Sequence, residues 1–215
     1  MMRHAVFLLL LLCAPYTCRS QMIRGWGVEG GAVGGYQFLS ITSAPSSPVI
    51  PRAVRWGFSA GAFVEFLNMP TLSLVLESAY SQEGRKVTAE EVAEASNLTA
   101  GLSPGPVGST PRLDYVHLAM LVKLRSGRIG FVPYASIGPK FDFLVGKADD
   151  PAHVFDNFKK SDVGVIVAAG IEIVPRRLPL VSLEGRWAPG FSRIYSAPTM
   201  TIRNQSVELL LLLWL

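Results

Sequence analysis

After residue 24 the chain repeats one pattern about eight times: ten or so residues with apolar side chains at every second position, ended alternately by a tight turn and a long polar loop. A period of two means strands whose two faces meet different surroundings. One face carries Trp, Phe, Leu and Val; the other carries Gly, Ser, Ala and charged residues. At this length, such alternation is the pattern of a strand that crosses a bilayer with its apolar face against lipid. Lipid offers no hydrogen-bond partner to an open sheet edge, so strands of this kind must close into a barrel. Beyond the first segment the longest apolar run, Leu209 to Leu215, is seven residues, far short of the ~20 a spanning helix needs.

The pattern places strand one at about Gly25 to Leu39, with Trp26, Val28, Ala32, Tyr36 and Phe38 on one face and Gly27, Glu29, Gly31, Gly35 and Gln37 on the other. Strand two, about Ala53 to Leu67, sets Trp56, Phe58, Ala60, Ala62, Val64 and Phe66 against Arg55, Ser59, Gly61 and Glu65. Strand three runs from Thr71 to about Gln82, strand four from Arg112 to Arg125, strand five from Ile129 to Val145 and strand six from Ser161 to Val174. Strand seven covers Leu178 to Trp187, and strand eight follows a loop at 188–202 and ends at Leu215. The turns Asn68-Met69-Pro70, Ser126-Gly127-Arg128 and Pro175-Arg176-Arg177 alternate strictly with long loops at 40–51, 83–111, 146–160 and 188–202. All turns therefore fall at one end and all long loops at the other, as in an eight-stranded antiparallel up-and-down transmembrane barrel with short periplasmic turns and longer extracellular loops. Glu90, Glu91 and Glu94 among alanines suggest one short helix within residues 84–98.

Residues 1–21 begin with Arg3 and His4, continue through the apolar run Ala5 to Leu12 and leave through a short polar exit. This is the layout of a secretory signal peptide, with cleavage expected near Ser20 or Gln21 and the barrel domain spanning 22–215. Cys13 and Cys18 both lie in that leader, so the mature chain is expected to hold no disulfide and no thiolate metal site. Without Arg3 and Arg19 the balance is 18 basic to 16 acidic residues, which argues against a nucleic-acid-binding surface.

Four segments carry a family resemblance: Gly27-Val28-Glu29-Gly30-Gly31; the run from Gly57 to Phe66 (GFSAGAFVEF); Glu77-Ser78-Ala79-Tyr80-Ser81-Gln82-Glu83-Gly84; and Leu113-Asp114-Tyr115-Val116-His117-Leu118. In that order and spacing the chain resembles the PorT-like outer-membrane β-barrel proteins of Bacteroidetes-type bacteria, similar in architecture to OmpX and OmpA barrels. The resemblance covers nearly all of the mature chain. It departs at His117, where members often carry a polar or acidic residue, and at the end, where Leu215 follows the aromatic Trp214. It implies an integral outer-membrane location, gives no shared catalytic residues, and leaves a link to protein secretion as one role among several.

Extending the alternation points Glu29, Arg55, Glu65, Glu77, His117, Lys123, Lys140, Glu172, Glu184, Arg186 and Glu208 inward. An eight-stranded barrel is only wide enough for its side chains to fill, so these charges are expected to pair in a polar, partly hydrated plug rather than to line an ion path, with Glu184 and Arg186, two apart on strand seven, on one face. Trp26, Tyr36, Trp56, Tyr80 and Trp187 stand near strand ends on the outward face, where an interfacial aromatic girdle belongs. Gly25-Trp26-Gly27-Val28-Glu29-Gly30 matches GxGxxG by letter but opens no helix, so it reads as small residues easing strand packing. His117 and His153 have no companion at metal-ligand spacing, and the sequons at Asn97 and Asn204 carry no meaning in a bacterial protein. The expectation is therefore a monomeric, non-catalytic outer-membrane barrel with no catalytic, cofactor-binding or metal residue, acting through lipid contact and a protein partner at its loops. The alternatives are a soluble lipocalin-like carrier with the apolar face turned inward and a membrane-embedded lipid-modifying enzyme.

Overall fold

The computed structural model describes residues 23–41, 50–51, 53–67, 69–86, 88–89, 107–127, 130–148, 159–174, 179–192, 195–197 and 200–215. Eight long strands run consecutively around a closed wall: β1 (Ile23–Ile41), β3 (Ala53–Phe66), β4 (Leu72–Lys86), β5 (Arg112–Arg125), β6 (Gly130–Ala148), β7 (Ser161–Val174), β8 (Val181–Pro189) and β10 (Met200–Trp214). Every neighbour is antiparallel, and β1 meets β10 from Gly27 opposite Trp214 to Ile41 opposite Met200. Two short pieces, β2 (Ile50–Pro51) on β1 and β9 (Tyr195–Ala197) on β10, extend the wall at the loop end. At the opposite end Leu215 donates its amide to the Trp26 carbonyl at 3.0 Å. No open edge remains between the long strands, as lipid requires.

Following paired residues around the wall shows how far the strands lean. Gly27 lies opposite Phe63, then Glu77, Ala119, Lys140, Gly164, Gly190 and Asn204, and the circuit returns to β1 at Gln37, ten residues beyond its start. With about 3.3 Å per residue and about 4.8 Å between strands, a stagger of ten over eight strands inclines them by about 40°. Trp26 and Tyr36 on β1 are ten residues apart, so at that tilt they are separated by about 25 Å in height, the thickness of the lipid-facing band of such barrels.

The two faces sort as the alternation requires. Leu118, Met120, Val122 and Leu124 on β5, Ile171 and Ile173 on β7, and Leu209 and Leu211 on β10 are exposed to the outside. His117, Lys123, Glu172, Glu184 and Glu208 are buried inside. The inverted, lipocalin-like arrangement is thereby overturned: the apolar face looks outward. Strands β5 and β7 keep the bounds read from the sequence, whereas β4 runs on to Lys86 and β6 to Ala148, because the wall continues beyond the lipid where polar residues pair as readily as apolar ones. β8 is shorter, starting at Val181, and β10 begins at Met200, inside the expected loop. Residues 84–86 continue β4, Ala89 is helical, and most of the remaining expected helix lies outside the described residues, as does the leader.

Close approach of strands explains one glycine directly. A Cβ on Gly138 of β6 would stand 1.9 Å from the Met120 carbonyl oxygen of β5, and a backbone atom cannot rotate away. Gly138→Val is expected to abolish the compact form that migrates ahead of the boiled protein on a detergent gel. Ala135→Val, on the outward face of the same strand, should leave that shift intact.

Candidate functional site in the barrel interior

The interior is built by charged side chains that ladder, strand face and stagger together bring into contact. At the turn end, Arg24 reaches Glu65 Oε1 at 2.7 Å and Glu172 Oε2 at 3.1 Å. Lys123 Nζ stands 2.5 Å from Glu172 Oε1, and Arg125 donates to Glu65 and, at 2.8 Å, to Ser73 Oγ. Three cations thus enclose two carboxylates. Lys123 also sits over the rings of Tyr134 and Trp214, at 3.9 and 4.9 Å from their centroids, where ring quadrupoles favour a cation.

Above this cluster Phe63, Val75, Leu121, Leu212 and Trp214 form an apolar belt, with Phe63 and Trp214 edge to face at 4.8 Å. The gap between belt and charges, lined by Lys123 on one side and Glu77, Glu184 and Arg186 on the other, offers about 10 Å³ to a water centre. That is room for roughly one water molecule.

Arg186 organises the middle of the lumen. Its Nη1 donates to Glu77 Oε1 at 2.8 Å, its Nη2 to Glu29 Oε2 and Glu77 Oε2 at 3.0 Å each, and its Nε to Glu184. Along the ladder Arg186 faces only Ala168 and Glu208, so the bonds to Glu77 and Glu29 span the lumen. His117, fully buried, places Nε2 3.4 Å from Glu77 Oε1. One donor atom each from Glu29, Glu77 and His117 lie within 4.8 Å of one another, the one such grouping among the described residues. Toward the loop end Lys140 lies 3.4 Å from Glu83 and 3.2 Å from Asp142, and Asn204 donates to the Tyr115 hydroxyl at 2.9 Å.

Of the residues expected inward, Glu29, Glu65, Glu77, His117, Lys123, Lys140, Glu172, Glu184, Arg186 and Glu208 are buried and Arg55 is half-buried; Glu184 and Arg186 share a face as expected, and they are in contact. His153 lies outside the described residues. Arg24, Glu83, Arg125, Asp142 and Asp162 complete the network although sequence reasoning passed over them. Glu83, Arg125, Asp142 and Asp162 keep the parity of their strands, and carrying the alternation to the strand ends would have found them. Arg24 breaks parity with Glu29 because the register shifts between Ile23 and Gly25, and an extra residue turns the side chain to the other face. The GxGxxG letters lie within β1, where a Cβ on Gly27 would meet the Leu213 carbonyl oxygen at 2.2 Å. Asn204 is buried and committed to Tyr115, and Asn97 lies outside the described residues.

On the outside Trp26, Trp56 and Trp187 are exposed, Tyr80 packs against Phe58 at 5.6 Å, and the Tyr36 hydroxyl and Trp187 Nε1 both donate to Gln205 Oε1, at 2.9 and 3.4 Å. Tyr36, Trp56 and Trp187 stand near the loop end and Trp26 near the turn end, and amphipathic aromatics at these two heights are what the two membrane–water boundaries select. The profile of the outer membrane protein β-barrel domain family matches residues 20–196. The chain belongs to that family. Its location is accordingly the bacterial outer membrane, with the wall embedded in lipid. No curated protein matches the sequence significantly. Among solved structures it is similar to the outer membrane protein OprG from Pseudomonas aeruginosa, at 10% identity and TM-score 0.47 over 90% of this chain and 95% of that one. It is also similar to Neisserial surface protein A, at 12% and 0.44 over 90% and 99%, and to the outer membrane protease OmpT from Escherichia coli, at 10% and 0.41 over 90% and 97%. No residue assignment of this outer-membrane barrel is carried over from any of them.

Removing one partner of a buried ion-pair network leaves the others unpaired, at about 3–5 kcal/mol. Arg186→Met is therefore expected to lower the unfolding free energy of the barrel, measured by reversible urea titration in detergent, by about that amount.

Proposed function

We propose that this outer-membrane barrel is a non-catalytic docking protein, with its long extracellular loops as the working surface and its wall contributing to membrane integrity. The carrying observation is the filled lumen: charged clusters at three heights and an apolar belt leave about 10 Å³ to water in the gap between the turn-end and middle clusters. Among the described residues, that gap has room for about one water and is too small for a substrate. Hydrolytic chemistry of the Ser/His/acid type needs a histidine beside an accessible nucleophile, and the one described histidine, His117, is fully buried between strands β4 and β6. The four connections at the far end, 42–49, 87–111, 149–160 and 190–199, are longer than the turns and differ from one another in length and composition. Adhesion or capture of a protein partner, including a component of a secretion system as the PorT resemblance suggests, fits that layout.

Two measurements test it. Reconstituted into planar bilayers, the protein is expected to show no stepwise conductance of open-pore size; regular openings of that size would contradict a filled lumen. Replacing residues 90–106 by a short Gly/Ser linker should leave the heat-dependent gel shift unchanged while abolishing adhesion or complex formation by the producing cells. Unchanged adhesion after replacement of each long loop in turn would refute loop docking.

A further inference from the structure

We propose that Glu29, Glu77 and His117 form a lumenal site for a single divalent transition-metal ion of the zinc class. The three side chains come from β1, β4 and β5, separate staves of a closed wall, so their backbones are held rigidly. All three are buried, and one donor atom of each lies within 4.8 Å of the others. His117 Nε2 and Glu77 Oε1 are already 3.4 Å apart, about the separation of two ligands around a tetrahedral ion at roughly 2.1 Å from each.

The hydrogen bonding points independently to a missing ligand. His117 Nδ1 has no hydrogen-bond partner although the side chain is wholly enclosed, Nε2 has only the 3.4 Å approach to Glu77 Oε1, and Glu29 Oε1 has no partner while Glu29 Oε2 is held by Arg186. A buried imidazole so poorly partnered is costly, and its neighbours here are carboxylates that a cation would satisfy as well. Arg186 grips Glu77 through both oxygens and Glu29 through one. Each carboxylate oxygen has a second lone pair free for a metal, so Arg186 fixes the orientation of the ligands without occupying the site, as hydrogen-bonded neighbours of metal ligands commonly do.

Charge balance agrees. Glu29, Glu77 and Glu184 all hydrogen-bond to the one guanidinium of Arg186, so carboxyl groups outnumber the cation at this cluster and a divalent ion offsets the difference. One imidazole nitrogen with two carboxylate oxygens suits zinc and its neighbours, whereas calcium and magnesium demand a fuller oxygen shell. The small gap bordered by Glu77, Glu184 and Arg186 can place a water as fourth ligand. This inference is independent of loop docking, because it concerns the lumen alone.

The test uses the untagged mature barrel refolded into detergent with zinc chloride, dialysed, and assayed for bound metal by mass spectrometry. The wild type is expected to retain a single ion, and so is His153→Ala. His117→Ala should lose it, and Glu29→Gln should bind at least about tenfold more weakly. In the His153→Ala background His117 is the one remaining histidine of the mature chain. Copper bound to that variant should therefore show one imidazole nitrogen by pulsed electron paramagnetic resonance, which keeps the test decisive if His117→Ala fails to fold. Folded wild type without metal, metal retained equally by folded His117→Ala, or a copper spectrum without imidazole coupling would each overturn the site.

Discussion

In hydrocarbon every backbone N–H and C=O must find its partner within the protein, and this demand shapes the whole molecule. It is met at the seam where β1 pairs with β10 from Gly27 to Ile41. Closing the seam with a stagger of ten residues sets the tilt, the height of the apolar band and the width of the interior. The aromatic ring around Gln205 and the burial of the charged face follow from that closure.

Closure also decides which charges meet. A strand's ladder partners lie beside it in the wall, but Arg186 bonds to Glu77 and Glu29 from across the lumen, and Arg24 joins Glu65 to Glu172. Buried ion pairs are weak evidence of stability in themselves, since desolvation offsets much of their attraction. Their contribution here is specificity: a slip of one residue at any seam would turn the acids and bases of that strand into lipid. The same bonds occupy the turn-end, middle and loop-end levels of the interior among the described residues.

The period of two made the barrel readable from the residues, down to the bounds of β5 and β7 and the inward set from Glu29 to Glu208. Reading failed where local pattern stops carrying the information. Glu83 lies on the extension of β4 beyond Gln82, where polar residues dominate both faces, so alternation fades although pairing continues. Arg24 was hidden by a register shift that reverses parity. The grouping of Glu29, Glu77 and His117 has no sequence signature, because its members lie 48 and 40 residues apart in the chain: Glu77 and His117 meet across the β4–β5 ladder, and Glu29 reaches them from β1 only once the wall is closed. That Glu184 and Arg186, which pair, share a strand face was legible for the opposite reason: they lie two residues apart.

The circuit that returns from Gly27 to Gln37 has a further consequence for how such a chain can change over evolutionary time. Because the stagger is a property of the closed ring, it is conserved as a whole number that no single strand can alter alone. Lengthening or shortening a connection between strands leaves that number untouched. The wall therefore acts as a fixed frame, and the outward connections are free to diversify, be exchanged between relatives or be grafted from elsewhere without renegotiating the frame beneath them.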